Sequence, residues 1–465
     1  GGWANTSITN NFVSFFATLA YSLKDRYVFN ANIRSDASNR FGQDANNQFD
    51  PTYSFGISWR IAEEEFIKNY LPWLNQLNLR ATYGIQGNVV NSVSPDLIAQ
   101  YRGIIGGYDE YYLTISSLPN PLLKWERTKT WNLGLDMQLF NGITMSFEYY
   151  GRRSNAIINQ DIAQEYGMAT MKLNGGRIHN HGIEYSINLT PYKRKDFAWT
   201  IGINASKNWN KAQNDDVRIK ADKLTKDNFL TGSSDRLLKK GYPLSAFWSY
   251  SFAGLDPQTG YPTFNRIGFD EIDPDIDPTT FLVYSGQKAP YFTGGVNTRV
   301  RYKSLSLGVD FSVLLGAKKR LPNPYANFNY GKLPAPYHNL SKDLLKRWQK
   351  PGDEKHTIYP ALYTSVEDVY NIQLPDGTQS NSIYSMWANS DAMVVNASFL
   401  RCNQISVSWN MPPRICSKFG ATNCSISANL NNPFVIGSNR FNGFDPELGD
   451  SVMPKIFSCG LSVGF

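Results

Sequence analysis

The sequence predicts an all-β chain, a large antiparallel transmembrane β-barrel, and three observations predict it. Apolar and polar residues alternate with period two from end to end. The polar side of that alternation is built of small and amide residues. Short links between strands alternate with long ones.

Residues 304–313 show the first observation. Leu305, Leu307, Val309, Phe311 and Val313 fall on one side, and Ser304, Ser306, Gly308, Asp310 and Ser312 on the other. Residues 131–139, 183–190, 197–204 and 457–465 divide in the same way. Successive strand side chains point to opposite faces, so each segment has one apolar and one polar face. A soluble sandwich also alternates, and the polar side is what separates the two architectures. It holds Gly, Ser, Asn, Asp and Gln, with few of the Lys and Glu of a face turned to bulk water. Such residues suit a hydrated, crowded interior. Aromatics gather at strand ends, among them Tyr53, Trp59, Trp73, Tyr149, Trp209, Trp248, Trp409 and Phe465, as interfacial girdles require.

The links were read in order for about fifteen strands. Lys24-Asp25 is tight, and the stretch after Asp36 is longer. Residues 62–74 make a medium link with a short helix over 63–67, and 88–124 is long. Asn141-Gly142 is a hairpin signal, 191–196 is short and 211–242 long. A short link at 256–260 and a longer one at 268–289 follow, then a near-immediate reversal at Lys303. The longest gap is 317–394, with 412–419 short and 431–452 longer. Short turns on one rim and long loops on the other form the pattern of an outer-membrane barrel. The parity makes the strand number odd and leaves an open edge at Phe12. An open edge in lipid costs several kcal/mol per unpaired backbone group. The chain is therefore expected to complete its barrel with strands supplied upstream.

Composition bounds the rest. The chain has 465 residues, with Phe 27, Tyr 27, Trp 11 and only 18% charged residues, which excludes a disordered chain. The mean hydropathy is -0.39, and no uncharged apolar run reaches the roughly 18 residues of a spanning helix. Neither fact bears on a barrel, whose strands have one wet face. The net charge of +7 is small and scattered, with clusters at Lys193-Arg194-Lys195 and Lys318-Lys319-Arg320 where turns or loops are expected, so no nucleic-acid partner is predicted. Four cysteines with no CxxC pair suggest neither a disulfide scaffold nor zinc. The chain opens on Gly1-Gly2-Trp3 without a signal-peptide pattern, and is expected to start within a longer protein.

Several segments then carry a family likeness: residues 34–42 (RSDASNRFG), 77–84 (LNLRATYG) with Gly87-Asn88, and Asn120-Pro121 with 123–126 (LKWE). Further ones are 132–136 (NLGLD), 180–184 (NHGIE), 398–401 (SFLR), 444–447 (FDPE) and the terminal Phe465. In this order the chain resembles the C-terminal barrel portion of SusC/RagA-type TonB-dependent outer-membrane transporters of Bacteroidetes. Ala37 stands where the family usually has Gly, and the cysteines are not part of its pattern. The resemblance implies a plugged barrel of about 22 strands, of which residues 1–465 would be the C-terminal part, with the N-terminal extension, plug and first strands outside the chain. It implies TonB-dependent import of oligosaccharides or oligopeptides through an outer membrane, multi-pass in its lipid. The partners implied are the upstream plug and barrel segment, TonB through the upstream region, and a SusD-like surface lipoprotein. Arg34, Asp36, Arg40, Phe41, Asp445, Pro446 and Glu447 belong to its motifs and are expected to be structural.

No enzyme is predicted, and no cofactor or metal. The sequence holds no GxSxG, HExxH or phosphate-binding glycine loop. His179 and His181 share one strand face, but on the side of Ile183 and Tyr185, assigned to lipid, with no third ligand near. Residues 270–277 are rich in oxygen ligands but lack the glycine and terminal glutamate of an EF-hand loop, and read as a solvated loop. The longest link carries Trp348, Tyr359, Tyr363, Tyr370, Tyr384 and Trp387 among polar residues. Of these, Trp348, Tyr384 and Trp387 are candidates to contact substrate or lid, since rings cover apolar faces while amides take hydrogen bonds. The alternative is that these rings pack the loop on itself or against a partner protein. For the whole chain, the alternative is a soluble, aromatic-rich carbohydrate-binding or hydrolytic β-protein.

Overall fold

The computed structural model describes all residues except 1–10, 39–48, 89–95, 109, 141, 167, 169, 215–225, 233–237, 268–271, 274–275, 327–338, 364–370 and 380–381. Thirteen strands make one sheet in which neighbours in sequence are neighbours in space. They are β1 (Phe12–Leu23), β2 (Tyr27–Ser38), β3 (Phe49–Arg60), β4 (Leu74–Asn88), β5 (Glu126–Leu139), β6 (Ile143–Asp161) and β7 (Thr170–Lys193). Then follow β8 (Phe197–Ala212), β9 (Phe292–Tyr302), β10 (Leu305–Leu315), β11 (Phe399–Asn410), β12 (Asn423–Ile436) and β13 (Ile456–Gly464). The shortest, β13, has 9 residues and the longest, β7, has 24. Each meets the roughly 9–11 residues that a tilted strand needs to cross hydrocarbon. Among the described residues no helix is long and apolar enough to do so.

The chain divides into two compact units, residues 1–191 with 202–219 and 238–243, and residues 192–201 with 220–237 and 244–465. In the first unit the exposed large apolar side chains include Phe55, Ile57, Leu79, Tyr83, Leu133 and Phe147. In the second they include Leu305, Leu307, Val407, Trp409, Ile426 and Leu461. These rows are the ones the alternation assigns to lipid. Register holds them on one face: Phe55 pairs with Tyr83 and Ile57 with Ala81, while Ser54 pairs with Gly84 and Gly56 with Thr82. A slip of one residue would turn the row inward. In water each such side chain forgoes about 1.5–3 kcal/mol of burial, which only an apolar surround returns. Rows packed between two sheets, as the soluble alternative requires, would be buried.

The count of about fifteen strands is corrected to thirteen. Residues 252–255 and 262–264, flanking the 256–260 turn, account for the difference. They form a hairpin of 4 and 3 residues within the 213–291 link, too short to cross. Removing two leaves the parity odd and β1 at an end of the order, as expected. Taken alternately, the links 24–26, 61–73, 140–142, 194–196, 303–304 and 411–422 form one set, four of them of two or three residues, while the other set includes the long links 89–125, 213–291 and 316–398. Links 61–73 and 411–422 break the pattern by exceeding 162–169 in length.

The tight turns follow from backbone geometry. Lys24 and Asp25 have φ of 51° and 52°, and Lys303, between the paired Tyr302 and Leu305, has 52°. Turns of that hand match the twist of the strands they join. The medium link holds a short helix, Glu65–Tyr70, preceded by the buried Glu64. Its carboxylate accepts from the Tyr27 hydroxyl at 2.8 Å, Trp59 Nε1 at 3.1 Å and Arg26 Nη1 at 3.0 Å. These donors, the Tyr27 hydroxyl foremost, hold Glu64 below its ordinary titration range.

Two outcomes follow. Leu307→Arg, placed near mid-bilayer, should raise the cost of insertion into vesicles by about 2–4 kcal/mol, while Ser306→Arg on the wet face is tolerated; equal effects would refute the face assignment. A depressed carboxylate stabilises above its unfolded pKa and loses that contribution as pH falls through the folded value. Glu64→Gln should therefore lower denaturant stability at neutral pH, and the gap to the native chain should close as the solution is acidified below the glutamate range.

Candidate functional site: the polar face and the outer links

The polar face of the first unit is built around arginines. Arg80 of β4 donates to Asp136 of β5 through Nε at 2.7 Å and Nη2 at 3.1 Å, and to Glu148 of β6 at 3.0 Å. Asn132 donates to Glu148 at 2.9 Å and Ser146 to Asp136 at 2.9 Å. Arg80 pairs with Gly134 across the β4–β5 ladder, and a methyl group there would meet its Nη2 at 3.0 Å. The network therefore joins two of the family-like segments, 77–84 and 132–136. Only sequence parity signals it: all its members fall on the polar side of their strands.

Arg34 Nε donates to both oxygens of Asp36, at 2.6 and 2.8 Å, and its Nη2 to Ser14 Oγ at 3.1 Å. Both residues line a groove of 540 Å³ on the polar face of β2 to β5, together with Asn32, Ser54, Thr82 and Gln86. Arg40 and Phe41 of the same motif lie outside the described residues. Nearby, Asp50 is buried against Arg127, whose Nε donates to it at 2.7 Å. A side chain on Gly87 would collide with the Asp50 carboxylate and touch Trp125, which explains a glycine in the Gly87-Asn88 pair. The 118–126 segment is tied down by Asn120 to the Lys172 carbonyl, at 2.8 Å, and by reciprocal 2.8 Å bonds between Asn174 and the backbone of Lys124. His181 stacks on Trp209 with centroids 5.0 Å apart. Among the described residues no three metal-ligating side chains gather.

In the second unit the outer links fold into a body with its own core. Ile383, Tyr384, Trp387, Tyr325, Tyr359, Leu344 and Phe441 form one buried cluster, joined by Phe252 and Phe264 of the 213–291 link. Of the candidate aromatics, Trp387 (0% exposed) and Tyr384 (4%) are inside it, and Trp348 (9%) is buried in a smaller core with Leu255 and Ala361. Each ring spends its polar atom on the loop itself. Tyr384 donates to the Ala361 carbonyl at 2.7 Å, Trp387 to the Ile358 carbonyl at 2.9 Å and Trp348 to Glu354 at 3.3 Å. In this structure all three rings pack against residues of the links themselves. A side chain on Gly260 would collide with the Trp348 indole, so its φ of 71° and missing side chain let the 256–260 hairpin tip seat there. Tyr359 is buried alongside, Tyr363 half-buried, and Tyr370 lies outside the described residues.

Two arginines brace this body. Arg320, within a cluster that reads as a solvated turn, donates to the Trp248 carbonyl and Ser249 Oγ at 2.9 Å each, to the Leu230 carbonyl at 3.0 Å and to Asn389 at 3.2 Å. Burial among these neutral acceptors lowers its pKa to about 10, so it stays charged at neutral pH. Arg401, 5% exposed, bonds Asp445, 4% exposed, at 2.6 Å and Glu447 at 3.0 Å. Asp445 also accepts from the Glu447 backbone at 2.8 Å, and Pro446 packs on Gly437. Residues 398–401 and 444–447 are thus two halves of one clasp between β11 and the link before β13. Of the acid-rich stretch 270–277, Asp270, Glu271 and Asp275 lie outside the described residues, and Asp277 caps Thr279 at 2.9 Å.

Strands with exposed apolar rows on one face and arginine–carboxylate pairs on the other, joined by folded links, define the wall of an outer-membrane β-barrel receptor. The chain belongs to the family of TonB-dependent receptor-like β-barrels, whose model matches residues 1–311. It is 29% identical to the TonB-dependent receptor SusC of Bacteroides thetaiotaomicron over 98% of the chain and 44% of that protein. It is 25% identical to the TonB-dependent receptor P3 of Formosa agariphila over 94% of the chain and 42% of that protein. The chain thus spans less than half the length of these curated relatives. The solved RagAB peptide transporter superposes with a TM-score of 0.74 at 23% identity, over 98% of the chain and 48% of its own. That likeness bears on the fold.

Removing one partner of a buried ion pair costs about 3–5 kcal/mol. Asp445→Asn should therefore loosen the 437–455 link, seen as accelerated protease cleavage there, while the paired change Arg401→Met with Asp445→Leu restores most of the resistance.

Proposed function

We propose that the chain is the C-terminal part of the barrel in a SusC-like importer, which takes oligosaccharides or oligopeptides across the outer membrane with energy from TonB. A SusD-like lipoprotein serves as its lid. Substrate is captured between lid and barrel and passes through the lumen once the upstream plug rearranges. This chain supplies lumen wall, outer loops and docking surface, and makes or breaks no covalent bond.

The observation that carries this reading is the folded body of outer links. An open pore needs only short constrictions, whereas loops with a shared aromatic core hold a fixed surface to which a partner docks. A second feature agrees. In the 89–125 link the hairpin Ile98–Ile105 and Glu110–Ser117 exposes Ile98, Tyr101, Ile104, Tyr111 and Leu113, an apolar patch of the kind that marks a contact with protein. The polar face supports passage of a hydrated ligand, because Arg34, Arg80 and Arg127 are paired within the wall and hydroxyls and amides beside them are left to meet it. The structure that shares this fold is described as a peptide transporter, which supports the oligopeptide class.

The test uses the full-length protein in its own outer membrane. Uptake of labelled oligosaccharide and oligopeptide panels should saturate for one panel, vanish when TonB is deleted, and bring down a surface lipoprotein on detergent purification. Uptake that is unsaturable and indifferent to TonB would identify a passive porin instead.

A further inference from the structure

The link 411–422 carries chemistry that transport does not use. It holds a helix, Pro413–Cys416, and a 3-10 turn, Ser417–Phe419, before β12 begins. Cys416 and Cys424 are both buried and, with Ala421, form a small core separate from every other, with Met411 against it. Both are free thiols in this structure, and both side chains belong to that one three-residue core. The backbone holds them there: Met411 N–H donates to the Cys424 carbonyl at 2.9 Å, Ala421 N–H to the Cys416 carbonyl at 3.1 Å, and the Cys416 thiol to the Met411 carbonyl at 3.5 Å. Thr422, next along, donates through its N–H to the Gly464 carbonyl at 2.7 Å, so the link is anchored to β13 as well. The other two cysteines are placed differently. Cys402 is buried in β11 and Cys459 is exposed on β13.

The link is on the short-turn rim, which in outer-membrane barrels faces the periplasm, a compartment where thiols are oxidised. We propose that Cys416 and Cys424 form an intramolecular disulfide in the mature protein, a covalent clip across the base of the β11–β12 hairpin. The two thiols lose two protons and two electrons to a thiol oxidase that carries its own disulfide. One cysteine thiolate attacks that disulfide, a mixed disulfide forms, the second cysteine displaces the oxidase, and the oxidase leaves as a dithiol. Burial of both sulfurs places the exchange during folding, before the Met411 and Ala421 contacts close over them. Only the oxidising compartment is taken from the outer-membrane reading; transport of any substrate is not assumed.

The test is thiol mapping of the full-length protein, extracted from outer membranes without reductant, unfolded in denaturant and alkylated with iodoacetamide. Cys402 and Cys459 should alkylate at once, and Cys416 and Cys424 only after dithiothreitol, with a linked 416–424 peptide before reduction. In Cys416→Ser, Cys424 should alkylate fully without reductant. Full alkylation of all four cysteines in the native chain overturns the proposal, as does a linkage of either residue to Cys402 or Cys459. A Cys424 still blocked in Cys416→Ser overturns it too.

Discussion

Everything in this chain depends on a two-sided strand whose backbone is paired with its neighbours and whose side chains meet two incompatible surroundings. Hydrocarbon on one face forbids unsatisfied polar atoms, so the charges the wall carries lie on the other face, where several pair with one another. Arg80 with Asp136 and Glu148, and Arg34 with Asp36, obey this rule, each arginine answered by carboxylates on its own or a nearby strand. The positions of Gly134 and Gly87 belong to the same logic. A long guanidinium or a buried carboxylate on a crowded face needs a neighbour without a side chain.

That rule is why so much of the wall was legible from residues alone. Leu305, Leu307 and Val309 announce their face by spacing, and Lys303 announces its reversal, because both signals are local. The two extra strands around 256–260 follow from reading a short link between apolar residues as a turn at the rim, whereas residues 252–255 and 262–264 pair only with each other inside the 213–291 link. Periodicity reports which side is apolar, not what the apolar side will touch. Strand length, set by where the hairpin ends, was the missing discriminator.

The outer links were harder for the same reason. Trp348, Tyr384 and Trp387 are amphipathic, and a ring that can stack on a ligand can equally close a small core. Which of these happens depends on non-local partners such as the Ile358 and Ala361 carbonyls. Arg320 shows the point from the opposite direction. Three consecutive cations look like a solvated turn, yet one of them gathers carbonyls from three separate segments. The clasp of Arg401 with Asp445 was visible only as two separate short motifs, and the ion pair explains why they occur together.

The shared core of the outer links has a consequence for how such a surface can change. Phe252, Tyr325, Tyr384 and Phe441 come from three stretches far apart in sequence and are packed as one. Shortening any one stretch would leave a void beneath the other two, so insertions and deletions are admissible only at the tips that project beyond the rings. Variation is thereby steered to the outermost residues, where it can retune what is captured while the footing beneath remains the same.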